Sequence, residues 1–457
     1  MINWYITLYL GVILLLYLFP YIGSFPSLTD YSEGRLGYGG LSSGTKLLLS
    51  RLISGDLLAL TLLIVIPYGV LGGLGFALMV LTSLFLFTLT VHKLKNHQPA
   101  RNILDLLSRR TRNYGYIYHC LILLGVNLGN MILQLAALKY LLGVHYLQSS
   151  FLIIFFLNVF TWAYTGLGGF DTVNRAARPQ VFLVFLTTAI ITVSIFLENG
   201  LAATYLDIAN HRFKSLGLLE GSLLFISGVA IITSQYILDH SLWHSVYNLK
   251  PQRQNSIFML TIICVLAIPL GYSAITVYGL TQGLEVGGSL VQILEKNNSV
   301  ILLNLYVLTI FVTVISSYAL NLLSAVLIFL NLPKRKPSIK SKQSGQIKSG
   351  YLFALIFNLL VSATFLLVIK LSLLELFLFL GIIYTSLAIP FLHTLFAPSQ
   401  QRNSAFFPAF LSLLIGAGFY LRSGSYYTPL LCLISGIIFQ AIFTLINKIH
   451  KNITKTD

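Results

Sequence analysis

The chain is 457 residues long, 56% of them apolar and 9% charged, with a formal net charge of +16. Soluble globular domains carry about 25% charged residues, so this composition excludes a soluble enzyme. A bilayer takes apolar runs of about 20 residues, and the runs here predict a polytopic all-α membrane protein. The charge has two readings, an anionic partner such as nucleic acid or a topology signal in the loops.

Apolar runs bounded by charge and turn clusters predict spans near 3–20, 42–66, 69–92, 115–143, 147–165, 179–198 and 219–238. Others follow near 256–280, 299–331, 350–370, 373–396, 406–421 and 427–447, about 13 transmembrane helices in all. Met1 to Phe19 lacks the basic start of a secretory signal and reads as an uncleaved first helix. With the N-terminus outside, the outer loops balance their charges and the whole +16 falls on the inner face. That decides for topology: a multi-pass cytoplasmic-membrane protein with its C-terminus inside, against anionic lipid and not nucleic acid. Lys93 to Asn113 suits an amphipathic helix on the inner leaflet. Pro333 to Ser349, basic without an acid, suits a flexible loop facing the lipid surface.

Charged groups inside a span are costly and mark functional candidates. The second span holds Arg51 and Asp56 around Ser54-Gly55, a place for the helix to unwind. Broken helices of this kind build ion and substrate sites in secondary transporters; the alternative is an Arg51–Asp56 pair that only neutralises itself. Gly69, Gly72, Gly73 and Gly75 open the third span without the strand or Lys-Ser/Thr of a phosphate loop, so they predict close packing.

In the fourth span Asn127, Asn130 and Gln134 share one face, either bonding between helices or lining a cavity. The seventh span carries Ser227-Gly228, a second polar interruption; in a five-plus-five inverted repeat it would be the counterpart of the first break. Small residues also serve ordinary helix contacts. Thr313, Ser316 and Ser317 share a face of the ninth span, with Asn321 beyond them, and their hydroxyls can ligate Na⁺ or simply back-bond to their own helix.

No pattern supports catalysis. His240 and His244 lack the intervening carboxylate of a zinc peptidase and read as exposed helix-end residues. Cys120, Cys264 and Cys432 read as small core residues.

Four strings in order resemble the sodium/solute symporter family, which includes proline, sugar and urea-type transporters. Tyr164-Thr-Gly-Leu-Gly-Gly-Phe170 through Val173 to Gln180 resembles its Y-T-x-x-G-G segment. Ser234-Gln235, Asp239-His-Ser-Leu-Trp243 and Lys250-Pro251 are similar to the segment after its second broken helix. Ile315-Ser316-Ser317 resembles its sodium-site helix and Ile53-Ser54-Gly55 its first broken helix.

The resemblance implies a leucine-transporter-like core of ten helices, with one span before it and two after. It divides the chain into 1–40, a first repeat at 41–198, a second at 199–396, and 397–457. It places Na⁺, the one bound group implied, on the carbonyls of Ser50 and Ile53 and on Thr313, Ser316 and Ser317. Substrate would lie near Asp56, Ser227 and Gly228, with Asn130 and Gln134 alongside.

Two departures bear on coupling. The family's Asp on the sodium exit path is Ala177 here, followed by Arg178, and the Arg after the family's Trp-Gln is absent behind Trp243-His244-Ser245. Arg51 adds a permanent cation beside the inferred Na⁺ site. Arg51, Asp56 and Arg178 are therefore the coupling candidates, and weak Na⁺ dependence, proton coupling through Asp56 and exchange all stay open. The expected function is cation-coupled symport of a small solute by alternating access, with no enzyme chemistry. The alternative is a symporter-derived sensor or scaffold.

Overall fold

The computed structural model describes residues 28–33, 40–97, 100, 102–111, 113–166, 168–200, 213, 217–281, 283, 290–291, 294, 300–332, 343–396 and 406–453. The span expected at 3–20 lies outside them. Among the described residues the chain forms fifteen α-helices and no strand. Ten of the described stretches are long and apolar enough to cross a membrane. Large apolar side chains such as Leu71, Leu218, Leu367 and Leu421 point outward almost fully exposed. Helices apolar on every side suit an exterior that meets lipid.

The first elements are α1 (Leu28–Glu33), α2 (Leu41–Leu52) and α3 (Gly55–His97). α2 ends where Ile53 turns to extended backbone, so the predicted second span is broken at Ile53–Ser54. A continuous α3 of 43 residues would run to about 65 Å at 1.5 Å per residue, twice the bilayer core. It does not run straight. Gly69 adopts φ 60°, ψ −144°, a conformation that an L side chain rarely takes. Behind it Gly72 packs against Ile64 and Gly73 against Val65, neighbours that an unbroken helix would hold about 12 Å apart. The chain thus folds back, and α3 supplies both the rest of the second span and the third.

α4 (Ile103–Arg110) is capped by Asn102, whose Oδ1 accepts from the Asp105 N–H at 2.8 Å. Its apolar residues Ile103, Leu104, Leu106 and Leu107 are buried against α5 (Asn113–Leu142) and later helices. The leaflet-facing helix predicted here is therefore corrected: that apolar face covers protein. α6 (Val144–Thr161) ends in a π-helical turn, Trp162–Gly166, and α7 (Gly169–Asn199) follows.

α8 (Leu218–Leu238) and α9 (His240–Tyr247) are separated by Asp239 alone. Asp239 turns to extended backbone and its Oδ1 accepts from the N–H groups of Ser241 and Leu242, at 2.7 and 3.2 Å. It serves as the N-cap that restarts the helix. α10 (Gln254–Thr281), α11 (Val300–Leu330), α12 (Gln343–Val368), α13 (Leu373–Phe396), α14 (Phe406–Ser423) and α15 (Thr428–Ile453) complete the set. The predicted loop 333–349 is thus helical from Gln343 on, and its earlier part lies outside the described residues.

The helices pack in two groups. α3, α8 and α10 form one; α5, α7, α11 and α12 form the other, with α13 bridging α5 and α8. The two breaks face each other where the groups meet.

Candidate functional site

The broken ends of α2/α3 and α8/α9 line one cavity of about 590 Å³, its open mouth included. Its polar lining is Arg51, Ser54, Asp56, Asn130, Gln134 and Gln235, with Tyr236, Asp239, Ser317 and Asn321. Phe76, Phe377 and aliphatic side chains form the rest. The mix of apolar wall with a few convergent polar groups suits a small-molecule site.

Asp56 sits in the first turn of α3, 6% exposed. Gln134 of α5 braces it. Its Oε1 accepts the Gly55 N–H at 2.9 Å and its Nε2 donates to Asp56 Oδ1 at 2.7 Å. In an unbroken helix that N–H would bond the Arg51 carbonyl, so Gln134 satisfies a group that the break releases. A Cβ on Gly55 would come within 2.5 Å of Val314, which explains glycine at this close approach to α11.

Arg51 goes elsewhere. Its Nε donates to Ser245 Oγ of α9 at 2.7 Å and its NH2 group to Asn174 Oδ1 of α7 at 3.4 Å. Its guanidinium carbon stands 5.8 Å from the centre of the Phe170 ring, and Asp239 lies within its Coulombic range. No Arg51–Asp56 ion pair forms among the described residues. That removes the self-neutralising reading.

Of the predicted sodium residues, Ile53 and Ser317 meet at the first break. Ile53 offers a carbonyl that accepts from Gln180 Nε2 at 2.6 Å and from Ser317 Oγ at 3.2 Å. Thr313 Oγ1 and Ser316 Oγ are buried without a hydrogen-bond partner among the described residues. Back-bonding would have paired them, as it pairs Ser50 Oγ with the Leu47 carbonyl at 2.8 Å. Buried hydroxyls seldom stay unpaired without a reason.

Two expectations are corrected, the break at Ser227-Gly228 and the exposed histidines. Ser227 and Gly228 do not break the seventh span, and neither lines the cavity. Ser227 Oγ donates to the Tyr426 carbonyl at 2.6 Å, and Gly228 gives room to Met79, whose sulfur would lie 2.5 Å from a Cβ there. Arg178 is exposed on α7 and outside the lining. His240 and His244 are buried, not exposed: His240 Nδ1 pairs with Ser324 Oγ and His244 Nε2 with the Ser32 carbonyl, each at 2.8 Å.

Asn130 and Gln134 do line the cavity, whereas Asn127 donates back to the Leu123 carbonyl. The residues not foreseen are Gln235, Tyr236 and Asp239 of the second break and Gln180 on the Ile53 carbonyl. Gln235 and Asp239 both lie in the string quoted above, and an Asp ahead of His-Ser-Leu is a readable N-cap signal.

No family model matches the sequence, and no curated protein matches it. In structure the chain is similar to a Na⁺-coupled sialic acid symporter solved in a substrate-bound outward-open state. The likeness covers 97% of both chains at a TM-score of 0.76 and 14% identity. The chain has an inverted-repeat transporter fold. Mhp1, a nucleobase-cation-symport-1 family transporter solved closed with bromovinylhydantoin bound, is also similar. There the TM-score is 0.52 and the identity 13%, over 92% of this chain and 94% of that one.

Proposed function

We propose that this protein is a secondary active transporter that moves a small solute by alternating access, coupled to a cation. The observation that carries the reading is the pair of helix breaks, at Ile53–Ser54 and Asp239, facing one polar cavity. Breaks at depth expose backbone and helix ends to a solute without exposing them to lipid. Likeness of fold to a Na⁺-coupled symporter supports it. The four quoted strings support kinship with the sodium/solute symporters. The bias of basic residues supports a cytoplasmic-membrane location with the N-terminus outside and the basic face on anionic lipid.

Na⁺ is the coupling ion that the first break suits best. The carbonyls of Ser50 and Ile53 with the hydroxyls of Thr313, Ser316 and Ser317 form a hard-oxygen set, and two of those hydroxyls lack another partner among the described residues. The absence of a carboxylate at Ala177 and the Gln180 amide on the Ile53 carbonyl make that site weak. The test is uptake of a labelled solute panel into proteoliposomes under a Na⁺ gradient, a proton gradient or neither. Accumulation driven by one gradient is expected. Solute binding with no accumulation under either would sink the transport reading in favour of a sensor.

A further inference from the structure

The direction of every amide in the cavity follows from two backbone groups. A carbonyl can only accept, so Asn321, which bonds the Ser317 carbonyl at 2.9 Å, must donate through Nδ2 and turn Oδ1 toward Asn130. Asn130 then donates Nδ2 to Asn321 Oδ1 at 3.4 Å, and its Oδ1 accepts from the Tyr384 hydroxyl at 2.9 Å and from Gln235 Nε2 at 3.2 Å. Gln235 is left presenting Oε1. At the other end the Gly55 N–H can only donate, which orients Gln134 and makes Asp56 Oδ1 an acceptor.

Three side-chain oxygens of the lining then have no hydrogen-bond partner among the described residues: Asp56 Oδ2, Gln235 Oε1 and the Tyr236 hydroxyl. Two of them, the carboxylate oxygen and the amide oxygen, are acceptors. The lining cation, Arg51, is committed to Ser245 and Asn174 and lies in the field of Asp239. Asp56 is the lining carboxylate that Arg51 does not touch, held instead by the neutral amide of Gln134. Asp56 is buried and Gln235 and Tyr236 are half-buried on the cavity wall, so the lining suits a solute that brings donors and a positive charge. The rings of Phe76, Tyr236 and Phe377 line the same cavity, and aromatic faces favour a cation.

We propose that the substrate is a protonated amine carrying a second N–H or O–H donor, its ammonium on Asp56 and its second donor on Gln235. This assignment rests on the transporter reading only for what the bound amine does next. The test is equilibrium binding of putrescine and agmatine to the purified full chain, beside butanediol and succinate as neutral and anionic matches. An amine is expected to bind and neither match to do so. Asp56→Asn should weaken binding by about tenfold or more, and Gln235→Met by about threefold or more, in line with one charged and one neutral hydrogen bond. Absence of amine binding, or equal binding of butanediol or succinate, overturns the assignment, as does an unchanged affinity in folded Gln235→Met. Uptake into proteoliposomes separates the two claims. Gradient-driven uptake of butanediol or succinate but not of the amines keeps the transporter and removes the amine. Asp56-dependent amine binding without accumulation keeps the amine and removes the transporter.

Discussion

Arg51 and Asp56 stand on opposite sides of the Ile53–Ser54 break and are held by different helices. Arg51 reaches Ser245 and Asn174, while Gln134 of α5 takes Asp56. One amide therefore joins the free end of α3 to the helix group across the cavity. Replacing Gln134 with Leu strands both the Gly55 N–H and Asp56 Oδ1. Each stranded group costs about 1–3 kcal/mol, so the thermal midpoint in detergent should fall clearly. Solute binding should weaken as well, because the carboxylate loses its fixed direction. A Gln134→Leu protein with wild-type stability would show that the brace is not an energetic one.

The hydroxyls on α11 make the opposite prediction. Thr313 Oγ1 has no partner to lose among the described residues, so Thr313→Val should leave stability in Na⁺-free buffer equal or higher. Stabilisation by Na⁺ should disappear. A site held at a hundred times its Kd gains about 2.7 kcal/mol, a shift that a Na⁺ titration of thermal unfolding reads directly. Ser316→Ala should behave in the same way, whereas Ser317→Ala also removes a donor from the Ile53 carbonyl. An unchanged Na⁺ response in Thr313→Val and Ser316→Ala would remove Na⁺ from this position.

The chain's spans were legible because hydropathy is a property of local sequence, and the first break was legible because Ser54-Gly55 leads into a charge that a lipid-facing helix would not hold. The second break was not, because Ser227-Gly228 looks the same on paper. A helix keeps Ser and Gly intact when the hydroxyl finds an outside acceptor, here the Tyr426 carbonyl, and when a neighbour such as Met79 fills the space. Both depend on residues far off in sequence. Asp239 restarts the helix because its side chain caps α9, a local signal that composition alone overlooks. The role of Gln235 was hidden for a deeper reason: its orientation is fixed three residues along a chain of amides, at the Ser317 carbonyl.

Gly69 tests the fold of the second and third spans. Its φ of 60° and the Phe213 ring 2.7 Å from a built Cβ leave no room for a side chain. Gly69→Ala should destabilise by about 1–3 kcal/mol, as strained backbone does. Gly75→Ala is the control, since nothing lies within 4 Å of its Cβ and its φ is helical. Equal thermal midpoints for the two variants would contradict the chain reversal at Gly69.

Arg51 ties the end of α2 to α7 and α9 at once, which needs a planar cation with several donors in fixed directions. Lysine keeps the charge but offers a single ammonium, which cannot meet Ser245 and Asn174 while its stem follows the Phe170 ring. Arg51→Lys should therefore loosen α9 without removing charge from the cavity. Hydrogen exchange across His240–Tyr247 is expected to speed up by about tenfold, equivalent to one lost charge-assisted bond. Ser245→Ala, which removes one of the two acceptors, should give a smaller change. Should α9 exchange at the wild-type rate in Arg51→Lys, the guanidinium is present for its charge alone, and the bridge between the three helices has to be sought among the buried histidines, where His244 holds the Ser32 carbonyl of α1.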